Sequence, residues 1–220
     1  MIYFLSDLHG DINFCGLNDY LKIAKSDDLL IILGDIGLKF QDSQDNRIFT
    51  QYFLSLEKNI AFIDGNHENF DYLKSFPEKT WCGGLVHMLS PNIVHLKRGN
   101  VFTIEKKNFF VFGGCKSSEK WKQSGLWHYG EEPESDELEL AYKNLEKHNF
   151  ALDYILTHKY ERNPKPEVLC KELQDLSRFI DKNVKFKKWY YGHGHANRIL
   201  DKKHIMVYNN LVSLENDCTD

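Results

Sequence analysis

The chain has 220 residues, of which 42% are hydrophobic, and it carries a formal net charge of -4. This length and apolar content predict one substantial core, so we expect residues 1–213 to form one domain and residues 214–220 a polar tail. Acidic and basic residues are well mixed along the chain. That mixture excludes the strongly positive surface of a dedicated nucleic-acid-binding protein, while a small nucleic-acid substrate stays open.

Cysteine usage and hydropathy favour a cytoplasmic location. Five cysteines are scattered without a CxxC pair, an odd count that suits a reducing compartment better than a disulfide framework. The first residues lack the basic segment and apolar core of a signal peptide, and no apolar run is long enough to span a membrane. We therefore expect a cytoplasmic protein without a membrane partner.

In chain order, short apolar runs that end abruptly in polar residues or glycine alternate with stretches of helical periodicity. The predicted strands of this kind are Ile2–Leu5, Leu29–Leu33, Ile60–Ile63, Tyr154–Leu156 and Trp189–Tyr191. The predicted helices are Phe14–Ala24, Ile48–Leu56, Ser135–His148, which Ser135 can cap, and Val168–Ile180. This alternation predicts a layered α/β domain.

The middle of the chain departs from this rhythm. Its strand-like pieces are Leu85–Met88, Ile93–Leu96, Val101–Glu105 and Phe109–Phe112. Between them, Pro91-Asn92, Arg98-Gly99-Asn100 and Lys107-Asn108 are typical of hairpin connections. The stretch predicts a second, partly antiparallel sheet, and Ile205–Tyr208 near the end of the chain predicts one more strand.

Polar clusters directly follow predicted strands. They are Asp7-Leu8-His9, Gly34-Asp35, Gly65-Asn66-His67-Glu68, Thr157-His158 and Gly192-His193-Gly194-His195. In α/β sheets, ligands bind beyond the carboxyl ends of the strands, so clusters far apart in sequence can converge there. We expect Glu68 to begin the next helix, where its charge favours the helix dipole, rather than to bind metal.

Convergence would gather carboxylates, an amide oxygen and several imidazoles. This mixed set of oxygen and nitrogen ligands suits Mn, Fe, Zn, Co or Ni rather than calcium or a thiolate cluster. It holds too many ligands for one ion. Two metal ions about 3.5 to 4 Å apart, clamping the attacking and leaving oxygens of a displacement at phosphorus, need such a set, and a central Asp can bridge them.

The local spacing is consistent with convergence. In Asp7-Leu8-His9 and His193-Gly194-His195, the outer residues of an extended segment point to one side, so both can reach the same centre. The glycines at positions 34, 65, 192 and 194 allow tight turns and close backbone approach.

In this order, D-x-H, GD, GNHE, TH and GHGH resemble the pattern of the calcineurin-like metallophosphoesterases, over roughly residues 1 to 210. The resemblance implies a four-layer α-β-β-α sandwich with two mixed β-sheets flanked by helices. It implies one metal held by Asp7, His9, Asp35 and His195, and another held by Asp35, Asn66, His158 and His193. Asp35 would bridge two divalent ions, with Mn as the first choice and Fe, Zn, Ni or Co as alternatives.

The resemblance also implies a hydrolytic mechanism. A hydroxide held between the ions would attack phosphorus, and His67, next to the ligand Asn66, would protonate the leaving oxygen or stabilise phosphoryl charge. The catalytic set is then His67, Asp35 and Asn66. The expected substrate is a phosphomonoester or phosphodiester, nucleotides included.

Two departures from the pattern bear on the substrate. Many relatives, the Ser/Thr protein phosphatases above all, carry an arginine soon after the GD, whereas Gly37-Leu38-Lys39 stand here, and Lys39, Lys116 or Arg162 would have to substitute. Residues 113–133 resemble a long active-site loop of small bacterial and phage relatives. Its aromatic residues Trp121, Trp127 and Tyr129 either pin the loop to the surface, which we favour, or stack on a substrate ring.

Other functions stay open at this point. A Ser/Thr-type protein phosphatase and a non-catalytic metal-binding scaffold of the same fold are the alternatives, and a metal hydrolase acting on amides would need a different ligand order. The sequence does not predict the oligomeric state.

Overall fold

The computed structural model describes residues 1–124, 126–160 and 170–214. The strands are β1 (Ile2–Leu5), β2 (Leu29–Leu33), β3 (Asn59–Ile63), β4 (Glu78–Trp81), β5 (Gly84–Ser90), β6 (Ile93–Leu96), β7 (Val101–Ile104), β8 (Lys107–Phe112), β9 (Tyr154–Thr157), β10 (Lys188–Tyr191), β11 (Arg198–Ile199), β12 (His204–Met206) and β13 (Val212–Ser213). The helices are α1 (Cys15–Ile23), α2 (Gln44–Leu54), α3 (Phe70–Lys74), α4 (Glu119–Gln123), α5 (Ser135–Lys147) and α6 (Lys171–Asn183). Every strand predicted from an abrupt apolar run is present.

In the described part of the chain, the first sheet has seven strands in the order β13-β1-β2-β3-β6-β5-β4. Strands β1, β2, β3 and β6 are parallel, and antiparallel strands extend the sheet at both edges. All residues of the central strand β2 are buried. Burial on both faces explains why Leu29–Leu33 is a continuous apolar run rather than an alternating one.

The second sheet has six strands over the same ranges, in the order β11-β12-β10-β9-β8-β7. Strands β12, β10, β9 and β8 are parallel, while β11 and β7 pair antiparallel at the two edges. Both sheets are therefore mixed.

The central core lies between the two sheets. Phe4 of β1 stacks on Tyr190 of β10 with ring centroids 4.3 Å apart, and the surrounding apolar cluster takes side chains from both sheets. Helices α1, α2 and α3 cover the outer face of the first sheet, and α5 and α6 cover the outer face of the second. The result is a four-layer α-β-β-α sandwich, which confirms the predicted fold class.

One part of the strand prediction is wrong. The stretch from Leu85 to Gly114 does not form one sheet, because β5 and β6 extend the first sheet whereas β7 and β8 belong to the second. Arg98-Gly99-Asn100 is therefore a crossover between sheets and not a hairpin. Turn-forming residues mark a change of direction but do not specify the strand that pairs next.

Two predicted boundaries also shift. Ser135 is the first residue of α5 rather than its cap, and Glu134 takes the capping position, where its backbone N–H donates to Glu137 Oε2 at 3.0 Å. Leu214, placed in the tail by its sequence position, is buried, and its N–H donates to the Ile2 carbonyl at 2.8 Å. The start predicted for the last helix, at Val168, and residues 215–220 lie outside the described ranges. No helix within those ranges is long and apolar enough to cross a membrane.

Candidate metal centre

The predicted clusters converge where the parallel strands of both sheets end. The Asp7 N–H donates to the Gly34 carbonyl at 3.0 Å and the His9 N–H to the Asp35 carbonyl at 2.8 Å, so the pairing of β1 with β2 continues past both strands. From the second sheet, the His193 N–H donates to Asp7 Oδ2 at 3.0 Å. A hydrogen bond from the backbone of one sheet to a carboxylate of the other thus joins the ends of the two sheets.

The backbone of the clusters is turned and not extended, which corrects the expected geometry. The left-handed φ angles are 59° at Asp7, 49° at His9, 54° at Asp35, 65° at His193 and 47° at His195. This conformation costs a non-glycine residue about 1–2 kcal/mol. Such residues gather at functional sites, where the surrounding structure holds them. Sharp turns at the strand ends, rather than the alternation of an extended segment, therefore aim these side chains.

Asp7, His9 and His195 form one set of potential ligands, which we call the exposed group, with their ligand atoms within 4.8 Å of one another. The Nε2 atoms of His9 and His195 are 3.0 Å apart, and His195 Nε2 is 3.4 Å from Asp7 Oδ1. Half of the His195 side chain and a third of the His9 side chain are exposed. The Asp7 carboxylate raises the pKa of His195, whereas burial lowers the pKa of His9.

Asp35, His158 and His193 form a second set, the buried group, whose ligand atoms also lie within 4.8 Å of one another. His158 Nε2 is 3.2 Å from His193 Nδ1 and 3.5 Å from Asp35 Oδ2. Burial alone would lower the pKa of His158, but the Asp35 carboxylate outweighs it and raises the pKa to about 9. Burial and the neighbouring His158 lower the pKa of His193 to about 3.

Asp35 lies between the two groups. Its Oδ2 is 3.6 Å from His9 Nε2 of the exposed group and 3.5 Å from His158 Nε2 of the buried group. Its Oδ1 accepts the backbone N–H of His67 at 2.7 Å. Burial works to raise the pKa of Asp35, but the histidines around it hold that pKa well below its usual range. One carboxylate oxygen is thus placed to face both groups.

The residues present fit divalent metal ions. In each group, two imidazole nitrogens face each other at hydrogen-bond distance, at 3.0 Å for His9 and His195 and at 3.2 Å for His158 and His193. Among the described residues, Asp7 Oδ1 and Asn66 Oδ1 are buried without a hydrogen-bond partner. Converging lone pairs and unsatisfied buried oxygens are costly unless a cation lies among them. Imidazole, carboxylate and amide ligands suit Mn, Fe, Zn, Co or Ni.

Outer contacts set which nitrogen of each buried ring faces the site. His158 Nδ1 donates to the Leu33 carbonyl at 2.7 Å, so Nε2 is the ring nitrogen that faces Asp35. His193 Nε2 lies 3.7 Å from Cys115 Sγ, which leaves Nδ1 for the site. A fixed tautomer and ring orientation is the usual arrangement of histidine ligands to metals.

Two glycines permit the close packing around these ligands. A Cβ at Gly65 would lie 2.0 Å from Asp35 Oδ1, and a Cβ at Gly192 would lie 1.8 Å from Ser6 Oγ. Both distances are far inside van der Waals contact. The predicted role of glycine at positions 65 and 192, close backbone approach, is therefore correct.

Glu68 does not begin a helix, contrary to the prediction. Helix α3 begins at Phe70 with Asn69 as its cap. The Glu68 carboxylate is buried and accepts the backbone N–H groups of Ile36 and Gly37 at 2.9 and 3.2 Å. Burial and the nearby Asp35 raise the pKa of Glu68 to about 8. This side chain supports the turn that carries Asp35, a role that its position in the sequence does not indicate.

His67 faces a cavity of about 620 Å³ that opens beside both groups. Its ring lies 4.5 Å from the Trp121 ring and 5.0 Å from the Phe40 ring, as centroid distances. The cavity lining includes His9, His67 and His195 together with Phe40 and Trp121. Trp121 is therefore at the candidate site, whereas Trp127 packs under Lys122 Nζ at 4.9 Å, away from the lining.

Of the cations considered as substitutes for a phosphate-binding arginine, the two that the structure describes do not line this cavity. Lys39 Nζ lies 4.5 Å above the Tyr72 ring, Lys116 is half-buried outside the lining, and Arg162 lies outside the described ranges. Among the described residues, the cavity lining contains no lysine or arginine.

Two buried polar residues near the centre, Ser117 and Glu131, were not predicted from the sequence. Ser117 Oγ accepts a hydrogen bond from Asn66 Nδ2 at 3.0 Å, and its hydroxyl donates to Glu131 Oε2. Burial raises the pKa of Glu131 to about 7. In the sequence, nothing separates these residues from their neighbours Ser118 and Glu132, because the signal is their burial and not their type or spacing.

Comparison with known proteins places the chain in a family. No curated protein matches it significantly. One crystal structure aligns over 95% of this chain and 90% of its own, with 10% identity and a TM-score of 0.48. The crystal structure of a protein of unknown function from Aquifex aeolicus aligns over 84% of this chain and 87% of its own, with 18% identity and a TM-score of 0.40. A sequence model described as calcineurin-like phosphoesterase matches residues 1–197, which include every predicted cluster. The chain belongs to the calcineurin-like phosphoesterase family, whose members are metal-dependent hydrolases of phosphoesters.

Proposed function

We propose that the protein is a dinuclear-metal phosphoesterase that hydrolyses a small phosphomonoester or phosphodiester, nucleotides included, with Mn²⁺ as its first-choice metal. The observation that carries the proposal is the position of Asp35 Oδ2, which is 3.6 Å from His9 Nε2 and 3.5 Å from His158 Nε2. A single carboxylate that faces two sets of ligands is the arrangement that two adjacent ions require.

The proposed ligand assignment is the one that the family resemblance implies, and the two groups of potential ligands support it. Asp7, His9, Asp35 and His195 would hold one ion, and Asp35, Asn66, His158 and His193 the other. When bound, such ions supply Lewis-acid stabilisation of charge on the phosphoryl oxygens and activate water for attack at phosphorus. The protein contributes the fixed orientation of the ligands, through the turned backbone and the outer hydrogen bonds of His158 and His193.

His67 is the proposed proton donor to the leaving oxygen. Its backbone N–H is fixed on Asp35 Oδ1 at 2.7 Å, and its ring faces the cavity between Trp121 and Phe40. A phosphoryl group bound by metal ions that Asp35 holds would therefore lie near the imidazole. From there, the ring can protonate the leaving oxygen or donate a hydrogen bond to phosphoryl oxygen.

The cavity favours a small ester over a protein substrate. Its volume is about 620 Å³, within the size of sites that enclose small molecules. Phe40 and Trp121 offer aromatic surface for a base or aryl leaving group. No lysine or arginine of the described residues lines the cavity, so the cationic contact to phosphate that is typical of protein phosphatases has no counterpart there. The intact ligand set and His67 weigh against a non-catalytic scaffold.

The test is hydrolysis of p-nitrophenyl phosphate and bis-p-nitrophenyl phosphate by purified protein, with and without Mn²⁺. We expect metal-dependent turnover that Asp35→Asn and His67→Ala both abolish. The ratio of the wild-type rates on the two esters distinguishes a monoesterase from a diesterase. Asp42→Asn at an exposed position and His148→Ala at the end of α5 are matched controls that should keep the wild-type rate.

Other outcomes separate the alternatives. Metal binding without turnover of either ester would favour the scaffold, whereas turnover of a phosphopeptide but of neither small ester would favour a protein phosphatase. A protein that binds no metal would contradict the proposal.

A further inference from the structure

Asn66, the amide ligand proposed to complete the buried group, is held by a chain of hydrogen bonds that runs into the loop after β8. Asn66 Nδ2 donates to Ser117 Oγ at 3.0 Å, and the Ser117 hydroxyl donates to Glu131 Oε2. The exposed fractions of Asn66, Ser117 and Glu131 are 3%, 3% and 0%. The chain is therefore shielded from solvent over its whole length.

The direction of this chain fixes the orientation of the Asn66 amide. An ionised carboxylate only accepts hydrogen bonds, so the Ser117 proton points toward Glu131 and a lone pair of Ser117 Oγ is left for Asn66. That lone pair can accept only from the amide nitrogen. The Asn66 Oδ1 atom is consequently turned the other way, where it is buried and has no hydrogen-bond partner among the described residues. A flipped amide would present N–H groups to a cation instead of an oxygen.

Further contacts anchor the same loop to the buried group. The Cys115 N–H donates to the Glu131 carbonyl at 3.0 Å, and Cys115 Sγ lies 3.7 Å from His193 Nε2. Arg98 Nη2 donates to the Gly130 carbonyl at 2.7 Å, and Arg98 Nε donates to Asp64 Oδ2 at 2.8 Å, two residues before Asn66. The loop that carries Ser117 and the strand end that carries Asn66 are thus held by one buried guanidinium.

The exposed group has no chain of this kind within the described ranges. The ring contacts of His9 and His195 run to each other and to the carboxylates of Asp7 and Asp35. His195 also stacks on Tyr208 at 5.1 Å. An effect of the loop on metal binding should therefore be confined to the buried group.

We propose that Ser117 and Glu131 are positioning residues, which hold the Asn66 carbonyl oxygen toward the buried group and selectively set metal affinity there. This inference rests on the proposed dinuclear function. Loss of an outer hydrogen bond to a metal ligand typically lowers affinity by about 10- to 100-fold. The expected effect is a loss of that size at one metal position and little change at the other.

The test is calorimetric titration of metal-free protein with Mn²⁺ at about pH 8, above the pKa of Glu131. We expect wild type to bind two ions, and Ser117→Ala and Glu131→Gln each to keep one site and weaken the other by at least about 10-fold. Ser118→Ala is the matched control, since the Ser118 side chain makes no capping hydrogen bond. Glu132→Gln, next in sequence to Glu131, is the control for the second variant.

A double variant separates orientation from a general structural role. In an Asn66→Asp background, both side-chain oxygens are equivalent, so removal of the Ser117 hydroxyl should no longer select the ligand atom. We therefore expect Ser117→Ala to lower Mn²⁺ affinity far less in that background than in wild type. Thermal unfolding of each variant without metal identifies a variant that does not fold, and Glu131→Gln, which preserves side-chain volume, is the more conservative of the pair.

Several results would overturn the inference. The inference fails if the two variants bind metal with wild-type affinity at both positions, or if they lose affinity equally at both. Either result would show that the chain does not act on Asn66 selectively. The dinuclear function would still stand if wild type binds two ions and hydrolyses esters. An equal cost of Ser117→Ala in both backgrounds would also contradict the inference. A wild-type protein without metal would overturn the proposed function and the inference together.

Discussion

Asp35 of the buried group also faces His9 of the exposed group, yet the two groups of potential ligands stand in different surroundings. His158 of the buried group is inaccessible to solvent, and a backbone carbonyl fixes its ring. His195 of the exposed group is half exposed and lines the open cavity. A metal at the buried group would be part of the folded core, whereas a metal at the exposed group would exchange more readily and lie on the side where substrate arrives. A single carboxylate thus faces one group of histidines inside the core and another that is open to solvent.

Substitution of the shared ligand should have the largest effect. We expect Asp35→Asn to weaken both metal positions by more than about 100-fold, beyond the usual cost of an outer contact, because its Oδ2 faces both groups. Equilibrium dialysis with Mn²⁺, followed by metal analysis, measures the number of ions bound. Loss of only one ion would contradict the proposal, since it would mean that Asp35 is not a ligand at both metal positions.

The second prediction separates the groups by their contribution to folding. In metal-free protein, His158→Ala should lower the free energy of unfolding by roughly 3 kcal/mol, because it breaks a buried pair with Asp35 and removes one of the two side-chain donors to the Leu33 carbonyl, Ser6 being the other. His195→Ala, at a half-exposed position, should change it by less than about 0.5 kcal/mol. Urea denaturation in the presence of a chelator compares the two variants. Equal losses would contradict the distinction between a buried and an exposed group.

The third prediction concerns the accessible side of the site. Trp121→Ala should raise KM for p-nitrophenyl phosphate by about 10-fold, since an aromatic stack contributes roughly 1–3 kcal/mol, with little change of KM for glycerol phosphate. Trp127→Ala is the matched control, because both tryptophans are 38% exposed and only Trp121 lines the cavity. The same increase of KM for both esters would mean that Trp121 shapes the loop and does not contact the leaving group.

The smallest predicted effect is on stability and concerns His204, a histidine outside the candidate metal centre. His204 is buried between two carboxylates, with Nδ1 2.9 Å from Asp201 Oδ1 and Nε2 3.0 Å from Asp181 Oδ1, and it stacks on Tyr160. Burial opposes the charged ring, but Asp181 and Asp201 outweigh it and raise the pKa of His204 above its usual value of 6.5. Because the folded-state pKa is raised, this stabilisation is complete below the unfolded-state pKa and is lost as pH rises through the folded-state pKa.

The measurement is the free energy of unfolding from about pH 6 to about pH 9. We expect wild type to lose stability on the order of 1 kcal/mol more than His204→Gln over this range, after allowance for solvent screening. His148→Gln serves as the control, since burial lowers the pKa of His148 instead of raising it. A wild-type profile parallel to that of His204→Gln would contradict the assignment of a charged ring.

Local patterns in the sequence predict the strands well, and they also mark the polar clusters that the fold brings together at the strand ends, because both depend on short-range features. Leu29–Leu33 is apolar throughout since it is buried on both faces, and Asp35 follows it at the strand end where ligands gather. The crossover at Arg98-Gly99-Asn100 was not predictable, because strand pairing between sheets depends on contacts across the whole fold. For the same reason, nothing in the sequence distinguishes the buried Glu68, Ser117 and Glu131 from exposed residues of the same types.

The most direct test of the central claim is a crystal structure of the protein soaked in Mn²⁺, with anomalous diffraction recorded to locate the ions. We expect two anomalous peaks, one on each side of Asp35 Oδ2, with the peak at His158 and His193 more fully occupied than the peak at His9 and His195. A single peak, or two peaks of which neither contacts Asp35, would contradict a dinuclear centre built on this shared carboxylate.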